Sequence, residues 1–159
     1  MVCLLTFNCY GTHLRGDENG SVDRVREGRG GPIEPSAALT RYGKRVMTHA
    51  EARLDPGEPW LVLNAIRETC AFRNWTLLAA HLRSTHVHLI VHGITDASCA
   101  IRDFKAYASR ALNGEGMRRR WSRGGNVKVL CDSRAVRAAV RYVVDRQGPP
   151  MAVYIAPDL

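Results

Sequence analysis

What this sequence lacks narrows it first. Its cysteines (Cys3, Cys9, Cys70, Cys99, Cys131) are odd in number, scattered, and never in a CxxC pair. That excludes a zinc ribbon by spacing and offers no disulfide framework, so reduced and mostly buried thiols are expected. No apolar run is long enough to span a bilayer. The opening Met1-Val2-Cys3-Leu4-Leu5-Thr6-Phe7 has no basic leader and is too short for a signal segment, so it reads as a first strand. No basic amphipathic helix stands out to suit a membrane surface, and repeats and low-complexity segments are absent. These absences predict a cytoplasmic protein with one domain over 1–159 and no membrane partner.

What is present is positive charge. A formal net charge of +8 and a pI near 9.7 point to a polyanionic partner, nucleic acid before membrane. An arginine-rich composition alone follows from a GC-rich genome, but that does not explain the clustering. Arg118-Arg119-Arg120-Trp121-Ser122-Arg123 is the densest basic segment. It reads either as cations for phosphates with an aromatic on which a base stacks, or as a solvated basic turn with one core tryptophan. Lys105 and Arg110 extend the patch if their helix borders the same groove.

Taken in order, residues 2–8 read as a buried strand. From Gly11 to Pro35 the chain is rich in Gly, Arg, Asp and Glu and reads as a long surface loop, for binding or without order. Ser36 to about Leu54 is weakly helical. Pro59 marks the first turn of a helix reaching about Arg73, which Asn74 ends. Trp75–Leu82 and His86–Val91 then form a hairpin across Arg83-Ser84-Thr85. Asp96 or Ser98 caps a helix to about Asn113, stopped by Gly114-Glu115-Gly116. Asn126–Leu130 is a strand, and Asp132 or Ser133 caps a last helix ending near Gln147-Gly148-Pro149-Pro150. The order β-α-β-β-α-β-α predicts an α+β, ferredoxin-like (RRM-like) sandwich: a central antiparallel sheet, helices on one face, and an added C-terminal helix.

Within the hairpin, His86 and His88 flank Val87. Strand side chains alternate, so both imidazoles share one face while Val87 enters the opposite layer. They are half of a divalent-metal site, or a pair of satisfied, partly buried histidines. His92 shares that face further along and reads as a supporting or structural residue. A basic domain with such a pair suggests metal-assisted chemistry on a phosphodiester, which needs a nucleophile. The serines lie in turns and caps, and the cysteines lack an activating neighbour. A phenol forms a stable phosphotyrosyl ester, which leaves Tyr142 and Tyr107, both on predicted helices, where packing is the plainer reading of each.

Thr85-His86-Val87-His88-Leu89-Ile90-Val91 resembles the His-hydrophobic-His motif of the single-tyrosine HUH transposases, the insertion-sequence enzymes and their REP-associated relatives. Phe104–Asn113 resembles the helix that follows the motif in them, and Arg141–Gln147 their terminal helix. Leu5–Thr12 and Gly148–Tyr154 are similar to a branch of that family, so the likeness spans most of the chain. It implies cleavage and rejoining of single-stranded DNA marked by hairpins, with Mg²⁺ or Mn²⁺. Tyr142 would be the nucleophile, leaving a 5′-phosphotyrosine, and His86, His88 and Gln147 would hold the metal. It implies also a homodimer, its terminal helices exchanged or not, and association with the nucleoid when bound to DNA. Gln147 lies one residue further from Tyr142 than the family pattern has it, which turns it off the tyrosine's face of a continuous helix. A frayed helix end would correct this; otherwise Asp145 is the alternative ligand. Rival readings are a non-catalytic nucleic-acid-binding protein descended from such an enzyme, and a metal-dependent hydrolase using water.

Overall fold

The computed structural model describes residues 1–18, 20–22, 31–113 and 118–157. It is organised on a five-stranded antiparallel sheet. Strand β1 is Val2–Asn8, β4 Thr76–Leu82, β5 His86–His92, β6 Asn126–Leu130 and β7 Ala152–Ile155, in the spatial order β6-β1-β5-β4-β7. The first four strands in this order are those of the ferredoxin-like sandwich expected from the sequence, and β7 is an addition on the β4 edge.

Alternation explains the layering. Cys3, Leu5 and Phe7 of β1 and Val87, Leu89 and Val91 of β5 point to one face and are fully buried there. Helices α2 (Glu58–Arg73) and α3 (Ala97–Asn113) cover that face. Val62, Ile66 and Cys70 line the inner side of α2, and Ile101, Phe104 and Ala108 that of α3. Val2, Leu4 and Ile90 point to the other face, under α4 (Ser133–Asp145), whose Ala135, Val136, Ala139, Val140 and Val143 form a stripe at helical spacing. Each fully buried aliphatic side chain here stabilises the fold by roughly 1.5–3 kcal/mol. The sheet is thus covered on both faces, and the polar residues Thr6, Asn8, His86 and His88 occupy the end of the α4 face nearest that helix's C-terminus.

The local signals explain most of the element ends. Asp132 caps α4 by accepting from the Ala135 amide at 2.7 Å, and Asp96 Oδ1 accepts from Cys99 N at 2.9 Å at the start of α3. Asn74 ends α2 in the left-handed region, φ 55°, a conformation asparagine tolerates better than most residues.

Three features depart from the sequence expectation. The 11–35 segment contains a short ribbon, β2 (Ser21–Val22) paired with β3 (Pro32–Ile33); residues 19 and 23–30 of that loop lie outside the described residues. Helix α1 (Ala37–Arg45) starts at the expected Ser36 cap but stops well before Leu54. No side chain of α1 is buried, so no core contact rewards extending it. The C-terminal strand β7 had no sequence signal strong enough to announce it, because Pro149 and Pro150 read as termination and the alternation in Ala152–Ile155 is short. The expected stop at Gly114-Glu115-Gly116 lies outside the described residues. Among the described residues, no helix is long and apolar enough to cross a membrane.

Candidate functional site

The polar end of the α4 face opens into a cleft of about 1250 Å³. His86 and His88 of β5 project into it from one strand face, ring centroids 4.9 Å apart. Register decides what surrounds them. Thr6 on β1 lies opposite His88, and its hydroxyl shares a 2.8 Å hydrogen bond with His88 Nδ1. Thr85 Oγ1 does the same for His86 Nδ1 at 2.9 Å. With Nδ1 of each ring engaged, Nε2 is the nitrogen that could hold an ion, and an Nδ1–H donated to the hydroxyl would select the tautomer that presents a lone pair there.

Both rings are held neutral. Burial pushes His88 down to about 4, with His86 and His81 adding to the effect and the Gln147 side chain opposing it. Burial also lowers His86, helped by Arg83, His81 and His13. Neutral imidazole is the form that binds a metal.

The C-terminal end of α4 forms the opposite wall. The Tyr142 ring stands edge-on to His88 with centroids 6.3 Å apart, and the residue is 46% exposed. The helix ends at Asp145, and Arg146, Gln147 and Gly148 turn back along the cleft wall. Gln147 Nε2 donates to the Tyr142 carbonyl at 3.4 Å, and Gln147 lines the same cleft as His88. The extra residue between Tyr142 and Gln147 is therefore absorbed by a non-helical turn. Asp145, the alternative, is exposed and does not line the cleft, and among the described residues no third His, Cys, Asp or Glu groups with the histidine pair. Two imidazoles and the Gln147 amide oxygen could supply a neutral N₂O donor set, of a kind that suits a divalent ion with further positions open.

Other expected residues divide. Tyr107 stands away from the cleft, under the Arg110 guanidinium (5.1 Å to its ring), and His92 is exposed at the far end of β5, opposite Val2 and Thr76. In the basic segment, Arg120 and Trp121 are core residues rather than a nucleic-acid surface. Arg120 Nη1 pairs with Glu58 Oε1 at 3.1 Å, and Arg120 Nε donates to Asn113 Oδ1 at 2.7 Å. Trp121 is 7% exposed, packs edge-on against Phe7 at 5.1 Å, and donates Nε1–H to Ser109 Oγ at 3.0 Å. Most of its ring is thus packed in the core, and with Arg120 it forms the floor of the basic depression described next.

Lys105 Nζ donates to the Ser122 carbonyl at 2.6 Å and to that of Gly124, clamping the turn that carries Arg123. Arg118, Arg119 and Arg123 line a shallow depression of about 330 Å³. It joins the cleft through Ser122 and Arg123, which border both. Arg119 stacks over Tyr10 at 4.4 Å, an aromatic on the basic surface that sequence reading overlooked. Arg110 lies on α3 outside both concavities.

Sequence reading also passed over Thr6, Arg83 and His81. The first two act through pairing partners distant in sequence. His81 had its signal in the alternation of β4. It lies opposite His88 in the register, is fully buried, and has neither ring nitrogen hydrogen-bonded. Burial lowers its pKa, as does the nearby Arg83.

No protein-family model matches the chain, and no curated protein does. Among solved structures, the chain is similar to a REP-associated tyrosine transposase bound to a REP hairpin, with a TM-score of 0.52 and 15% sequence identity. The match covers 89% of this chain but 63% of that one, so the chain spans less than two thirds of its length. At this identity the shared property is the fold.

Proposed function

We propose that this protein is a transposase-type single-strand DNA endonuclease and strand transferase that works through Tyr142 with a divalent metal, Mn²⁺ or Mg²⁺. The observation that carries the reading is the convergence of Tyr142, His86, His88 and Gln147 on one cleft, from a strand and a helix end far apart in sequence. A buried histidine pair kept only for packing has no need of a tyrosine and an amide facing it. The fold shared with a tyrosine transposase agrees with this assignment.

His86, His88 and Gln147 would hold the ion, which when bound polarises a phosphoryl oxygen and orients the scissile bond. Tyr142 gives up its phenolic proton and its oxygen attacks phosphorus in line. The new O–P bond makes a 5′-phosphotyrosine, and the departing oxygen takes up a proton to become a free 3′-OH. Rejoining is the reverse attack by a 3′-OH. Arg123, with Arg118 and Arg119 beyond it, would bind the flanking phosphates, and Arg15, Arg83 and Arg146 add cations to the cleft wall.

The substrate class that follows is single-stranded DNA bearing a hairpin, met at the nucleoid. Within one chain the Tyr142 ring lies 6.3 Å from that of His88, and a homodimer, with its terminal helices exchanged or not, belongs to the same reading.

The test is incubation with hairpin-bearing single-stranded DNA and Mn²⁺, followed by denaturing electrophoresis. A covalent protein–DNA adduct is expected, absent in Tyr142→Phe and retained in Tyr107→Phe. Tight binding with no adduct on any hairpin substrate would support instead the non-catalytic nucleic-acid-binding reading, which the basic surface alone favours. Strand cleavage persisting in Tyr142→Phe would point to water as the nucleophile.

A further inference from the structure

The segment after α4 is held by a residue that belongs to neither the helix nor the histidine strand. Arg83 sits in the turn between β4 and β5, where its own amide donates to the His86 carbonyl at 3.0 Å. Its Nη1 donates to the Gln147 carbonyl at 2.7 Å. Gly148 follows in the left-handed region, φ +74°, and a Cβ there would lie 2.7 Å from Arg83 Nη1. The positive φ favours glycine, and a Cβ there would push the arginine tip away from the Gln147 carbonyl. Next along, the Met151 amide donates to the Leu82 carbonyl at 3.0 Å, which continues the docking of this segment into the β4–β7 pairing.

The consequence concerns Gln147. Outside the helix, nothing in the α4 hydrogen-bond ladder sets its direction; its side chain turns back to the Tyr142 carbonyl at the cleft the histidines line, with its backbone carbonyl held by Arg83. We propose that Arg83 is a positioning residue of this site: through the Gln147 carbonyl it fixes where the Gln147 side chain enters the cleft that His86 and His88 line, and holds the Tyr142 end of α4 on the same wall. The proposal rests on the metal-centre reading above and deepens it.

Electrostatics makes the role distinguishable from a mere charge effect. Arg83 lines the same cleft as His86 and His88, so as a bare cation it opposes a bound cation. Removing that charge alone would raise metal affinity; removing a positioning contact lowers it.

The experiment is titration of the full-length, DNA-free protein with Mn²⁺, following the free-ion signal by electron paramagnetic resonance. The chains compared are the parent, Arg83→Met, Arg83→Lys, Gly148→Ala and His88→Ala, with circular dichroism to confirm that each is folded. Arg83→Met should weaken Mn²⁺ binding about tenfold, the scale of losing a residue that orients a ligand. Arg83→Lys, which keeps a donor, should recover most of that loss. Gly148→Ala should resemble Arg83→Met without touching the arginine, and it carries the test if Arg83→Met fails to fold. Parental or tighter binding by Arg83→Met, with binding lost in His88→Ala, overturns the positioning role and leaves the metal-centre reading intact. Equal weakness of Met and Lys variants also overturns it. Parental binding by His88→Ala overturns both.

Discussion

Arg120 was a natural choice for a phosphate contact by sequence, and its environment predicts the opposite behaviour from its neighbours. Its guanidinium is 8% exposed and Glu58, its partner, 19%. Glu58 also accepts from the Asp55 amide at 2.8 Å at the start of α2, and Arg120 Nη2 reaches the Leu112 carbonyl at 3.4 Å. The pair thus ties the first turn of α2 to the end of α3. Arg120→Met keeps most of the apolar stem and removes the charge, leaving a largely buried carboxylate and the Asn113 amide without their donor. Removing one partner of a buried pair costs roughly 3–5 kcal/mol; the residual exposure of Glu58 lets water recover part, so the lower end, about 3 kcal/mol, is expected. For a domain of this size that is a fall in melting temperature of about 6–12 °C. Arg118→Ala, at an exposed position, should stay within about 0.5 kcal/mol of the parent while weakening binding to single-stranded DNA. Urea unfolding of both variants, of Glu58→Gln and of the double variant checks this, the double being less destabilised than the sum because it removes both charges. The reasoning is refuted if Arg120→Met unfolds with the parent and instead loses DNA affinity as Arg118→Ala does.

Three further outcomes follow from the buried groups. His81→Leu should be neutral or stabilising by up to about 2 kcal/mol in urea unfolding, because it removes a buried imidazole whose nitrogens make no hydrogen bond; a large loss would mean that the ring has a partner. His88 is neutral in the folded chain down to about 4, whereas an unfolded histidine protonates near 6.5. Unfolding therefore takes up a proton between those values, and metal-free stability should fall on acidification from pH 6.5 to 4, by as much as about 3 kcal/mol from this residue. His86 and His81 act in the same direction, and His88→Gln should flatten the slope. Finally, burial pushes the Cys9 and Cys70 thiols up to about 12, so iodoacetamide at pH 8 should label the exposed Cys131 in the native protein and reach Cys9 and Cys70 only on unfolding, as read by peptide mass spectrometry.

The sequence by itself determined the elements whose signals are local. Alternation placed His86 and His88 on one strand face with Val87 in the core, caps and helix breakers marked Asp132 and Asn74, and the order of strands and helices specified the sandwich. Such features depend on neighbours a few residues away, where backbone geometry transmits the pattern directly. Only the tertiary structure decided what meets what. Whether Trp121 offers its face to a base or packs on Phe7, and whether Arg120 meets a phosphate or Glu58, depends on strand register and helix docking across most of the chain. The same holds for β7, which becomes a strand because β4 offers it an edge. It holds most of all for Gln147, whose distance from Tyr142 argued against a shared site as long as the helix was taken to continue. The helix stops at Asp145, Arg83 holds the returning segment, and Gln147 comes to His88 by a turn that no helical periodicity encodes.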